Sequence, residues 1–137
     1  MDTIQDYYSE RFTNLHNPFQ TKAKRVLCVC SAGLLRSPTV AWVLSNPPYS
    51  YNTRSCGTEE YALVRIDQAL VEWADTVLFV NRDNFRRARF VNLENKHVAI
   101  MSIPDVFEWK HPRLIEMLNE QLPKHFDLKQ EAPLAQG

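Results

Sequence analysis

The feature that most constrains the fold is a junction around residue 30. Val26-Leu27-Cys28-Val29-Cys30 is continuously apolar and partly β-branched, the pattern of a strand covered on both faces within a parallel sheet. Ser31-Ala32-Gly33 interrupts it, and Arg36-Ser37-Pro38-Thr39 then leads into Val40-Ala41-Trp42-Val43-Leu44. Proline suits the first turn of a helix, where its missing N–H has no partner to lose and its fixed φ is already helical. The unit is strand, tight loop, helix.

The same alternation continues downstream. A second strand is expected over residues 49–54, ending at Ser55-Cys56-Gly57-Thr58. Ile66, Ala69, Leu70 and Trp73 fall at i, i+3, i+4 and i+7, which predicts a helix over 66–73. Residues 76–80 read as a third apolar strand, 82–90 as a basic helix and 97–101 as a fourth strand. A last helix over 113–122 turns Leu114, Ile115, Leu118 and Leu122 inward. Strands alternating with helices imply βαβ units and a mainly parallel sheet. A chain of 137 residues accommodates one such domain, expected over 25–126. An N-terminal extension over 1–24 allows one short helical face through Tyr8, Phe12 and Leu15, and 127–137 is expected to be a flexible tail.

Composition removes several function classes. Only three glycines are present, and Gly137 is one of them, so neither G-x-G-x-x-G nor G-x-x-x-x-G-K-[ST] can be written. Any phosphate must be cradled in another way. Sixteen basic side chains balance sixteen acidic ones, and nothing global points to nucleic acid or to an anionic membrane. No apolar run approaches a membrane span. The opening MDTIQDYYSE is polar, and secretion by a standard signal is not expected. Three cysteines without a C-x-x-C fit neither a disulfide scaffold nor a zinc ribbon, and reduced thiols in the cytoplasm are the simplest expectation. No metal-ligand spacing is visible, and no cofactor is expected.

The junction itself carries the chemistry. Cys30 and Arg36 form a C-x5-R spacing between a buried strand end and a helix start. A loop wrapped there turns successive N–H groups inward, here from Ser31, Ala32, Gly33, Leu34 and Leu35, making a nest for a tetrahedral dianion. The helix dipole adds positive potential at the same point. Such a field favours the thiolate of a cysteine at the loop's base, so the groups that bind phosphate also make a nucleophile of it. Arg36 offers a planar fork matched to two phosphate oxygens. The hydroxyl of Ser37 is placed to donate to the sulfur when it departs.

The run from Val26 to Thr39 resembles the signature loop of the low-molecular-weight protein tyrosine phosphatases, and most of all their short bacterial and phage subgroup of predicted tyrosine phosphatases. The resemblance extends from about Arg25 to Leu122. Arg54-Ser55-Cys56-Gly57-Thr58 is similar to the family's S-A-G-T strand end, Trp73-Ala74-Asp75 to the approach to its third strand, and Ile103-Pro104-Asp105 to the loop of its catalytic aspartate. The expected fold is accordingly a doubly wound α/β domain with a four-stranded parallel sheet in order 2-1-3-4 and helices on both faces. The resemblance implies that Cys30 attacks phosphorus while Asp105 protonates the leaving oxygen, and that Asp105 then activates the water that releases inorganic phosphate from a phosphocysteine.

Some positions depart from the family pattern. Gly33 stands where asparagine is usual in a left-handed conformation, and so is expected to have positive φ. Leu34 replaces isoleucine and suits an aromatic substrate. Leu35 replaces a second loop cysteine that some members use as a redox partner. Val106-Phe107 replaces Pro-Tyr, leaving Phe107 to stack on a phenyl ring; Trp109 is a second candidate for that wall. Residues 58–64 are expected to form the opposite side of a shortened cleft. The function expected is that of a cysteine-dependent phosphomonoesterase acting on a phosphorylated protein, most of all on phosphotyrosine. A phosphatase of nucleotides or sugars and a phosphate-binding module without turnover are the alternatives. Arg82, Arg86, Arg87 and Arg89 read as a solvated helix face, and Cys28 and Cys56 as small core residues.

Overall fold

The computed structural model describes residues 23–31, 36–62, 64–104 and 110–126. Strands β1 (Arg25–Cys30), β2 (Asn52–Gly57), β3 (Thr76–Phe79) and β4 (His97–Ile100) alternate with helices α1 (Arg36–Ser45), α2 (Gln68–Trp73), α3 (Arg82–Arg87) and α4 (Pro112–Gln121). All neighbouring strands are parallel, in the order β2-β1-β3-β4. This is the expected doubly wound α/β architecture. Residues 1–22 of the extension expected over 1–24, and the tail over 127–137, lie outside the described residues.

The apolar run at β1 becomes an inner strand because its residues serve both faces, as those of β3 also do. Val26, Cys28 and Cys30 enter one core cluster with Val40, Leu44, Leu114 and Leu118 of α1 and α4. Leu27 and Val29 enter the other with Val71 of α2 and Ala88 just after α3. Helices therefore cover both faces, and full burial of each leucine or valine contributes about 1.5–3 kcal/mol. Leu114, Leu118 and Leu122 are fully buried, as the helical spacing predicts, while Ile115 is only half-buried.

The largest boundary difference is at β2, which begins at Asn52 and not at Tyr49. After α1 the N–H groups of Tyr49 and Ser50 both donate to the Asn46 carbonyl, at 3.1 and 3.0 Å, and Ser50 has φ of 53°. The chain is still turning there. Tyr49 and Tyr51 are buried because they pack with Phe126, with ring centroids 6.4 and 5.4 Å from it. Similarly, α2 begins at Gln68 because Asp67 caps it, accepting from the Leu70 N–H at 2.8 Å. Ile66 donates instead to the Gly57 carbonyl at 2.8 Å. The basic helix stops at Arg87, three residues early, and Phe90 lies exposed beneath the Arg65 guanidinium, 4.4 Å from the ring centroid.

Candidate active site

β1 is flanked by β2 on one side and β3 on the other, so the chain reverses its winding at the carboxyl end of β1. Open α/β sheets bind ligands in the crevice at such a point. Cys30 is the last residue of β1 and is 3% exposed. Its Sγ lies 3.1 Å from Oγ of Ser37, in the first turn of α1. Ser37 is fully buried, and its hydroxyl donates to the Cys56 carbonyl at 3.2 Å. This geometry suits a thiol donating to Ser37; turning the hydroxyl proton toward the sulfur suits a thiolate.

The backbone around the cysteine is tied to β2 and its loop. Thr58 N–H donates to the Cys30 carbonyl at 2.9 Å, and Glu59 N–H to the Ser31 carbonyl at 3.0 Å. Arg65 Nε reaches back to the Thr58 carbonyl at 3.2 Å. Glu59 pairs with Arg87 of α3, which also holds Asp83 at 3.0 Å. Thr58 and Glu59, the first two of the residues 58–64 expected beside the cleft, are thus held against Cys30 and Ser31. The basic helix is an exposed face, but Arg87 on it has two carboxylate partners, and these raise its pKa further.

Of the loop residues expected to bind phosphate, Ser31 and Ser37 are brought beside Cys30. Ala32, Gly33, Leu34 and Leu35 lie outside the described residues, as does the side chain of Arg36, whose backbone opens α1. Asp105, Phe107 and Trp109 lie outside them too. The described chain nevertheless delivers both flanks of 105–109 to the same end of the sheet. Met101 N–H donates to the Phe79 carbonyl at 2.9 Å and Ile103 N–H to the Val80 carbonyl at 3.1 Å, extending the β3–β4 pairing up to Pro104. Ser102 is clamped by Gln121 of α4, which accepts from its N–H at 2.9 Å and donates to its carbonyl at 3.0 Å. On the far flank, Lys110 N–H donates to Thr39 Oγ1 of α1 at 2.9 Å.

The other two thiols are bystanders. Cys28 is one alternation before Cys30 and faces the same core; Cys56 pairs in register with Val29 and faces the opposite one. Burial pushes both thiols up, with Cys30 adding to the effect in each, so they remain protonated core residues. Among the described residues, no cluster of His, Cys, Asp or Glu side chains is arranged to hold a metal ion, and no helix is long and apolar enough to cross a membrane.

Sequence reasoning missed Asn81 and Asn84. Asn81 caps α3 by accepting from Asn84 N–H at 2.9 Å, and its amide donates to the Ile103 carbonyl at 3.3 Å. Asn84 is fully buried and donates through Nδ2 to Ser31 Oγ at 3.0 Å. An asparagine directly after an apolar strand, followed three residues later by a second, is a helix-cap signal. The surrounding arginines obscured it. No protein-family model, curated protein or solved structure matches the chain.

Proposed function

We propose that this protein is a cysteine-dependent phosphomonoesterase of the low-molecular-weight tyrosine phosphatase type, acting on phosphotyrosine through a phosphocysteine intermediate. One observation carries the reading. Cys30 and Ser37 are seven residues apart, about 23 Å if extended, yet their side chains meet at 3.1 Å. The end of β1 and the start of α1 are therefore brought together at the carboxyl end of the sheet. That is the setting in which a C-x5-R sequence becomes a nest for phosphate.

In the proposed reaction the Cys30 thiolate attacks phosphorus and the bond to the leaving oxygen breaks, with Asp105 giving that oxygen its proton. Arg36 holds two equatorial oxygens. Asp105, now a carboxylate, takes a proton from water, whose oxygen displaces Cys30 and releases inorganic phosphate. Ser37 donates to the departing sulfur. Leu34 and Phe107 supply the apolar wall for a phenyl ring. Three free thiols suit a reducing compartment, and we assign the protein to the cytoplasm.

The test is hydrolysis of aryl phosphates by wild type, Cys30→Ser and Asp105→Asn. The serine variant is expected to bind orthovanadate without turnover. The asparagine variant is expected to lose about 10²–10⁴ in rate with poor leaving groups. Undiminished activity in Cys30→Ser overturns the mechanism. A wild type that binds orthovanadate but hydrolyses nothing is a binding module, and a higher kcat/KM on nucleotides than on aryl phosphates moves the substrate to small molecules.

A further inference from the structure

We propose that Asn84 is a positioning residue for the nucleophile, and that with Asn81 it sets the spacing between the Cys30 loop and the strand leading to Asp105. The inference rests on the function proposed above. It starts from an anomaly in α3, whose sequence Arg82-Asp83-Asn84-Phe85-Arg86-Arg87 is otherwise mostly charged and exposed. Asn84 is its one fully buried residue, and a buried amide is costly unless it is hydrogen-bonded. Its Oδ1 has no partner among the described residues. An apolar side chain would pack there without that penalty. What the amide adds is direction: Nδ2 donates to Oγ of Ser31, the residue joined to the nucleophile, at 3.0 Å.

Asn81 extends the same hold to the neighbouring strand. Its Oδ1 fixes the Asn84 backbone at 2.9 Å, and its Nδ2 holds the Ile103 carbonyl at 3.3 Å, two residues before Asp105. Backbone bonds run in the same order, Val80 N–H to the Val29 carbonyl at 2.9 Å and Ile103 N–H to the Val80 carbonyl at 3.1 Å. One turn of α3 thus touches both outlets of the sheet from which the two reacting groups emerge. Displacements of about 1 Å at such a site cost about 10²-fold in rate.

The experiment compares wild type, Asn84→Ala, Ser31→Ala, their double variant, Ser31→Thr and Asn81→Ala. It measures kcat and KM on aryl phosphates of good and poor leaving groups, orthovanadate affinity and Tm. Asn84→Ala is expected to lower kcat/KM about 10- to 100-fold for every leaving group, mostly in kcat. Ser31→Ala removes the same bond from the loop side and carries the test if Asn84→Ala does not fold. The double variant is expected to be no slower than the slower single one, and Ser31→Thr, which keeps the acceptor, to retain most activity. Asn81→Ala is expected to harm poor leaving groups more than good ones, a pattern that a loss of stability alone does not produce. Single losses that multiply in the double variant, or an Asn84→Ala enzyme with wild-type kcat/KM, overturn the inference while leaving the proposed function standing. A wild type that binds orthovanadate without hydrolysis overturns the function alone; the inference is then read as a roughly tenfold weaker affinity in Asn84→Ala, and unchanged affinity overturns it. A wild type that does neither overturns both.

Discussion

The two ends of the sheet are held by different chemistry. At the amino end the ties are charged and aromatic. Arg25 N–H donates to Asp75 at 2.9 Å and its carbonyl accepts from Asp75 N–H at 2.9 Å. The Arg54 guanidinium lies 4.6 Å from the Trp73 ring centroid, and Lys24 Nζ lies 5.3 Å from that of Phe126. At the carboxyl end the deepest ties are neutral hydroxyls and amides, with Ser37, Thr58 and Asn84 all under 3% exposed, and the charged set of Glu59, Arg87 and Asp83 lies outside them at the surface. Charge at a wetted edge costs little, whereas buried polar groups are destabilising unless fully paired. Yet the buried Oγ1 of Thr58 and Oδ1 of Asn84 have no partner among the described residues. The amino end has such an atom as well, Oη of Tyr51, but at the carboxyl end they lie beside the nucleophile, with Thr58 N–H on the Cys30 carbonyl and Asn84 Nδ2 on Ser31 Oγ.

The sharpest way to break this division is Phe126→Ala. Phe126 is buried against Tyr49 and Tyr51, and its truncation is expected to cost about 3–5 kcal/mol by chemical denaturation. Turnover per folded molecule should stay at the wild-type value; a fall beyond the folded fraction would show that the ends are coupled. Ser37→Ala makes the converse case. It is expected to lower kcat about 10- to 100-fold through loss of the group facing the sulfur, while stability changes by about 1 kcal/mol for the bond to the Cys56 carbonyl. Asp75→Ala is expected to cost about 1 kcal/mol through its bond to Arg25 N–H and to leave aryl phosphate kinetics unchanged.

The same division governs what could be read from the residues alone. The order of the strands came with the resemblance of the Cys30 loop to a known family, whereas the strands themselves and their parallel pairing were legible because β1 is apolar on both faces and each later strand is set off by polar or turn residues. The start of β2 was not, because Tyr49 and Tyr51 look like strand residues but owe their burial to Phe126, some 75 residues away in sequence. At the site, Cys30, Ser31 and Ser37 were legible since a strand, a break and a proline-led helix start lie within a dozen residues. Asn84 was hidden because its partner Ser31 is 53 positions away. A cap asparagine and a positioning asparagine also look identical until the strands are ordered.

The smallest expected effect concerns pH and lies along the β4 edge of the sheet, where His125 lines a cleft with Asn81, Met101 and Ser102. His125 follows the short turn over Leu122–Lys124, and burial lowers its pKa from 6.5, with the positive charges of His97 and Lys124 lowering it further. His97 opens β4 at the amino edge, where its Nδ1 lies 3.2 Å from Thr76 Oγ1. Because the folded-state value is depressed, the unfolded chain binds more protons at and just below pH 6.5, and stability rises with pH through that window. Below it, the fold must accept a proton that its surroundings oppose. His125→Gln is therefore expected to make the dependence of Tm on pH shallower between about pH 5 and 7, without altering the pH profile of kcat/KM. Equal slopes in wild type and variant would remove His125 from the account. A shift in the kinetic profile instead would extend the reach of this cleft to the site.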